Sequence, residues 1–448
     1  MSQEGTEAVM ALPGDPGSVS VRSEHSPPDA AQPTHSRYRY VVVAILVLVY
    51  TVNFLDRQIM ALLVQPIGKD LALTDTQLGL LSGLAFAIFY ATLGVPVARL
   101  ADRFSRVHVI AIACTLWSGF TMACGLANNF IQLALSRMGV GVGEAGGAPP
   151  SYSLISDYFP PAERGLAMSL FSLGIPLGAT LGTAFGALIA DAYGWRTAFF
   201  VAGAPGLVLT LLLLLVVKEP VRGRLDASVS PHENVSLPRA LAKFFANPIL
   251  RCTATSSALS AVVAYGSSAW VPTYLIRVRG MSMGEIALWY SVVNGVTLAA
   301  GIFLSGWLAD RLAHRHAGSY ALVPALLVLL SLPFYAGFLL APSWPLALIL
   351  FALPGLTFNM YLPPALSVIQ NAVHPNERST AGAIHLLALN LVGLGVGPLL
   401  VGFISDHLAA RQGETSLAWG LAALIPVSLA AIFFLFRGAR LLSRRAPS

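Results

Sequence analysis

The sequence predicts an all-α membrane protein, twelve transmembrane helices in two pseudo-symmetric halves of six. Three observations predict it. Of 448 residues, 56% are hydrophobic and 11% charged, where a soluble domain carries about 25% charged residues, and the mean hydropathy is +0.70. Twelve apolar stretches are each long enough to cross a hydrocarbon layer of about 30 Å. The pattern of the first half returns in the second at nearly constant offsets.

In chain order, residues 1–38 are rich in Pro, Ser, Gly and Glu and hold no apolar run of signal-peptide type. They are expected to form a disordered cytoplasmic tail, which leaves the first apolar helix as the insertion signal. Apolar stretches follow near 40–64, 78–99, 107–127, 130–156, 165–190 and 196–217, then near 249–276, 284–309, 320–341, 344–371, 379–408 and 416–437. They define an N-terminal six-helix bundle over 39–217 and a C-terminal one over 247–438. A polar cytoplasmic connector at 218–246, with Lys218, Arg222, Arg224, Arg239 and Lys243, joins them, and 439–448 is a second cytoplasmic tail. Pro and Gly inside the apolar stretches predict kinks rather than breaks.

Basic residues set the orientation. Arg37, Arg39, Arg99, Arg103, Arg106, Arg164, the connector, Arg251, Arg311, Arg315, Arg378 and Arg437 to Arg445 share one side, against only Lys69, Arg196, Arg277, Arg279 and Arg411 on the other. Both termini are therefore expected in the cytoplasm, on a multi-pass protein of the inner (plasma) membrane. The net charge of +6 belongs to short loops, so no nucleic-acid partner is expected. Cys114, Cys124 and Cys252 lie in apolar segments without metal-ligand spacing and read as small buried side chains.

The repeat is carried by several motifs at once. Thr74-Asp75-Thr76-Gln77 and Ser282-Met283-Gly284-Glu285 both have the capping-box spacing, 208 residues apart, as are Leu100-Ala101-Asp102-Arg103 and Leu308-Ala309-Asp310-Arg311. Pro149-Pro150 and Glu163-Arg164 recur 214 residues later as Pro363-Pro364 and Glu377-Arg378. Asp102, Asp191, Asp310 and Asp406 close every third helix. Two halves, each of two three-helix units, is the repeat logic of secondary transporters.

The candidate site is ionic. Of 21 acidic residues only Asp56 and Glu144 fall at membrane depth, joined there by Arg57 and Arg137. All four belong to the first and fourth helices. An ionised group near a bilayer centre costs at least about 2.5–3.5 kcal/mol, so it faces a partner or a watery cavity. Arg137 and Glu144 are seven residues apart, which puts them on one helix face roughly 10 Å apart. The glycines between and after them allow close backbone approach. Asp56 and Arg57 are neighbours, about 100° apart around their helix, so one faces the cavity and the other an interface. Protonating Glu144 or Asp56 would free an Arg, whose planar fork matches a phosphate or carboxylate. Asp56 and Glu144 are thus the proton-coupling candidates and Arg57 and Arg137 the head-group candidates, with no cofactor beyond the proton. The 214 offset maps Arg137 to Phe351 and Glu144 to Phe358. The facing wall is then expected to be aromatic and neutral, with Tyr265, Trp270, Phe358, Asn359, Tyr361 and His385 lining the cavity.

Gly306-Trp307-Leu308-Ala309-Asp310-Arg311 with Arg315 resembles the helix 2–3 signature of the major facilitator superfamily. The first-half copy keeps Asp102, Arg103 and Arg106 but has Ala98 where the leading Gly belongs. Asn53-Phe54-Leu55-Asp56-Arg57-Gln58, the run at 141–145 and Pro160-Pro161-Ala162-Glu163-Arg164-Gly165 resemble the spinster family of lipid transporters. This resemblance implies a monomer. It also implies a cytoplasmic gate in which Asp102 meets the start of helix 11 and Asp310 that of helix 5. Glu163, Arg164, Glu377 and Arg378 begin those receiving helices.

The expected function is a proton-coupled, alternating-access secondary carrier of an amphipathic anionic lipid, of lysolipid or sphingoid-phosphate type. A symporter of a small organic anion such as a sugar acid is the alternative, and would want polar groups on both cavity walls. An enzyme or sensor is remote. There is no phosphate-binding loop, metal cluster, nucleophile elbow or large extramembrane segment.

Overall fold

The computed structural model describes residues 36–222, 237–313, 316, 318–373 and 378–445. Among them there is no β-strand. The N-terminal half begins with α1 (Ser36–Leu71), α2 (Asp75–Ser82 continued by Leu84–Arg103) and α3 (Arg106–Cys124). α4 is Phe130–Glu144 continued by Ala148–Tyr158. α5 and α6 occupy Pro161–Ser172 and Gly174–Val216, one turning into the other at Gly194, where φ is 81°. That left-handed value has little cost only for glycine.

The C-terminal half repeats the plan. It holds α7 (Pro248–Arg277), α8 (Met283–Glu285, Ile286–Tyr290 and Ser291–Ala313), α9 (Ser319–Leu340) and α10 (Trp344–Thr357 and Leu362–Ala372). α11 runs through Arg378–Ala388, Leu389–Leu394 and Gly395–Gln412, and α12 through Ser416–Ala422 and Leu424–Arg445. A short amphipathic helix, Leu237–Ala246, precedes α7 and buries Phe244 against Leu250, Ala254, Ile369 and Ile384. Among the described residues eight runs are long and apolar enough to span a bilayer. Two of them, Glu163–Val216 and Thr380–Arg444, contain two helices each, and α4 and α7 complete the twelve.

Local chemistry explains the ends and the kinks. Thr74 and Ser282 close full capping boxes with Gln77 and Glu285, at the repeat-related starts of α2 and α8. α4 breaks after Glu144 and α10 after Thr357, and each restarts with a proline pair in its first turn. Proline suits that position because the first-turn N–H has no intrahelical acceptor anyway. The two interruptions are repeat mates, so α4 is not the unbroken helix expected over 130–156. α1 starts at Ser36, inside the stretch assigned to the N-terminal tail, while residues 1–35 and 223–236 lie outside the described residues. The halves meet along α1–α7, α2–α11 and α5–α8.

A buried charge site in the N-terminal half

The neighbours Asp56 and Arg57 do diverge around α1. Asp56 is fully buried and turns toward α3, where Thr121 Oγ1 donates to Oδ2 at 3.2 Å. Its other oxygen, Oδ1, has no hydrogen-bond partner among the described residues. Arg57 turns to α4 and donates from Nε to Glu144 Oε2 at 2.5 Å, with side chains 15% and 0% exposed respectively. Arg137 does not pair with Glu144 on its own helix. It is buried, and its Nε donates to Leu81 O at 3.4 Å. Leu81 lies in the last turn of the first α2 segment, where carbonyls lack intrahelical donors.

Three aromatic faces surround the Arg57 guanidinium. Its Cζ lies 4.9 Å from the Phe54 ring centroid, 5.1 Å from Phe86 and 4.6 Å from Tyr90. Arg137 stands over the same Phe86 ring at 5.3 Å. Beyond them Tyr50 stacks on Phe171 at 4.3 Å, and Tyr152 meets Phe171 edge-on at 5.3 Å. The N-terminal wall is therefore aromatic as well as ionic, whereas the sequence predicts aromatic residues on the opposite wall alone. Phe86 and Tyr90 are four apart and stack on one face of α2. That spacing was visible, but nothing in one sequence places α2 beside Arg57.

Glycine makes the charge site possible at two positions. A Cβ on Gly143 would stand 2.5 Å from Trp117 N, and one on Gly141 2.6 Å from Phe86 O. α4 thus touches α3 and α2 backbone to backbone, and Glu144 is held with no exposed surface.

In the C-terminal half, Tyr265 is half-buried and bonds Asn390 Oδ1 at 3.5 Å, and Asn359 is also half-buried. Trp270 and His385 are 0% exposed, and Trp270 Nε1 donates to Pro398 O at 2.8 Å, within the α7–α11 packing. Phe358 packs edge-on against Tyr335 at 5.5 Å, and Tyr361 sits with Ala261 and Leu389.

The described gate candidates occupy the end where the described chain begins and stops, at Ser36 and Arg445. Asp102 and Arg103 are exposed, and the Asp102 carbonyl accepts from Arg222. Arg106 is buried in its own half, paired with Asp157 and with Glu219 of the connector. Glu163 pairs with Arg39 at 2.7 Å, and Arg164 donates to Ser156 O and Phe159 O at 3.0 and 3.1 Å. Arg311 lies over Trp307 at 5.3 Å. Arg315 and Glu377 lie outside the described residues, as do the side chains of Asp310 and Arg378. Among the described residues no metal-binding group of side chains exists, and all three cysteines are free and buried.

Two six-helix halves with a charged site buried between helices of one half define a membrane carrier, not an enzyme. The chain belongs to the Major Facilitator Superfamily, whose family description matches residues 46–385. Within it the protein is of the spinster type. It is similar to a solved bacterial homologue of the human lysosomal transporter spinster, in an inward-facing and unoccupied conformation. The likeness has 31% identity and a TM-score of 0.83, and covers 93% of this chain and 99% of that one. It is 35% identical over 389 residues to an MFS-type efflux pump of Mycolicibacterium smegmatis, covering 87% of this chain and 90% of that protein. It is 29% identical over 414 residues to a hexuronate transporter of Bacillus subtilis, covering 89% and 95%.

Proposed function

We propose that this transporter carries an amphipathic lipid with an anionic head, of lysolipid or sphingoid-phosphate type, by proton-coupled alternating access. The observation that supports it most is the Arg57–Glu144 pair inside a cage of aromatic rings. Charged Asp56 would be a carboxylate buried with one hydroxyl donor and no cation in contact, an arrangement costing several kcal/mol. In the proposed cycle Asp56 carries one coupling proton, and Glu144 pairs with Arg57 as its carboxylate. Counting Arg57 and Arg137 against Glu144 leaves one positive charge, which a monoanionic head neutralises. A second proton, taken by Glu144, frees Arg57 and leaves two, which suits a phosphate monoester. Tyr50, Phe54, Tyr90 and Tyr152 are all accessible around these charges and would meet the apolar part of the ligand.

Likeness to an inward-facing spinster homologue supports reading the terminus-bearing end as the open, cytoplasmic one; a monomer in the inner membrane is part of the same proposal. The hexuronate transporter relative supports the second reading, a sugar-acid symporter. It is favoured less because three aromatic faces, those of Phe54, Phe86 and Tyr90, enclose the head site, with the Tyr90 hydroxyl as the one polar group among them. The two readings separate in proteoliposomes. Pure protein should move a fluorescent lysophosphatidic acid between leaflets down a pH gradient, and excess glucuronate should not compete. Glucuronate uptake with an unmoved lysolipid would make the sugar-acid reading the correct one.

A further inference from the structure

At the end away from the termini a second polar cluster crosses between the halves, and the charge site makes no use of it. Arg277, the last residue of α7, donates to both oxygens of Asp75 at 2.7 and 2.9 Å and to Gln65 Oε1 at 2.8 Å. Asp75 opens α2 in the other half and is only 8% exposed. Ser405 of α11 donates to the same carboxylate at 2.7 Å. The next residue, Asp406, accepts the main-chain N–H groups of Asp75 and Thr76 at 2.9 and 2.7 Å. Two orphan donors of the first turn of α2 are therefore satisfied by a carboxylate of the opposite half, where the helix dipole also favours an anion. The backbones touch as well, since a Cβ on Gly402 would stand 2.2 Å from Asp75 O.

A bidentate Arg–carboxylate pair is directional and strong for a polar contact. Neither it nor the Asp406 cap can persist once α2 and α11 part at this end. The internal repeat gives the cluster a counterpart. Asp406 near the end of α11 corresponds to Asp102 at the end of α2, and Asp102 is exposed at the opposite end of the molecule. We propose that Asp75, Arg277 and Asp406 form a latch for the far end, made while the cavity is open toward the termini and released when the far end opens. One aspartate-to-helix-start contact would then serve each end, and the two are never made together. Arg277 and Asp406 set the balance between the access states, whatever the substrate is and whether or not protons drive the cycle.

The test uses spin-label distances on the full chain in lipid, with Cys114, Cys124 and Cys252 replaced by Ala. Lys69→Cys and Gln412→Cys label exposed positions of the two halves at the far end, and Arg103→Cys and Arg311→Cys do so at the other. Asp406→Asn and Arg277→Gln should each raise the long-distance population at the far end at least threefold and shorten distances at the terminus-bearing end. The exchange Asp75→Arg with Arg277→Asp should bring both distributions back toward the parent. Arg277→Lys, which keeps charge with fewer bonds, should fall between. Folded variants whose distances match the parent at both ends would overturn the latch. So would widening at the far end with no response at the other, which describes local loosening.

Discussion

Arg57→Gln is expected to cost more stability than Glu144→Gln, although each removes the same ion pair. The structure sets the difference. Glu144 has no exposed side-chain surface, while Arg57 is 15% exposed. Removing one member of a buried pair costs about 3–5 kcal/mol, because the other charge stays behind uncompensated. Arg57→Gln leaves a sealed carboxylate and should sit in that range. Glu144→Gln leaves a guanidinium still facing Phe54, Phe86 and Tyr90 at 4.6 to 5.1 Å. Cation–π contacts contribute about 0.5–2 kcal/mol each, so this variant should lose about 1–3 kcal/mol. The double substitution restores neutrality with two amides and should cost less than the sum of the singles, by about 2 kcal/mol. Chemical unfolding in mixed micelles, followed by tryptophan emission across the four proteins, measures all three quantities. If Glu144→Gln proves the more costly, or the two effects add within about 0.5 kcal/mol, the pair is not the isolated, caged contact described above.

Further outcomes follow from the same contacts. Gly143→Ala puts a methyl 2.5 Å from Trp117 N and should destabilise by about 1–3 kcal/mol through overpacking, readable as a lowered midpoint in the same unfolding assay. Arg137→Lys keeps the charge but loses the planar fork. It should weaken anionic-lipid binding about tenfold, or about 1.4 kcal/mol, by tryptophan quenching titration, with the unfolding midpoint little changed. Burial alone would raise the Glu219 carboxyl, but the Val107 N–H, Arg106 and Ser105 outweigh it and hold the group below the usual carboxylate range. That contribution is present above the unfolded value of about 4.3 and is lost as pH falls through the lower folded value. Glu219→Gln should therefore lower the melting temperature at neutral pH, and the gap to the parent should close in acid.

Fold and repeat were legible because bilayer thickness and helix rise leave few options for a 448-residue apolar chain. The interruption after Glu144 was not: Pro149-Pro150 predicted a kink, and α4 breaks and restarts there. The four charges at membrane depth were legible too, since depth makes each of them costly. Their pairing was not. Helical spacing placed Arg137 and Glu144 on one face, yet Glu144 pairs with Arg57 from another helix while Arg137 caps a broken turn of α2. Which helices adjoin is decided by backbone contacts such as those of Gly141 and Gly143, and a single sequence carries no record of them. Arg106 shows the same limit. It reads as a gate residue, but it lies in a buried cluster with Asp157 and Glu219, brought near by a connector whose docking no local pattern encodes.

In the proposed cycle, protons held by Asp56 and Glu144 drive movement of an anionic lipid. Weakly buffered proteoliposomes carrying an internal pH dye test it most directly, by reading proton flux when lysophosphatidic acid is added outside. Substrate-dependent proton movement is expected with the parent protein. None is expected with Glu144→Gln or Asp56→Asn, although Glu144→Gln still binds the lipid. Lipid movement without any proton signal, or a signal unchanged in both variants, would contradict it and reduce the four charges to a structural brace.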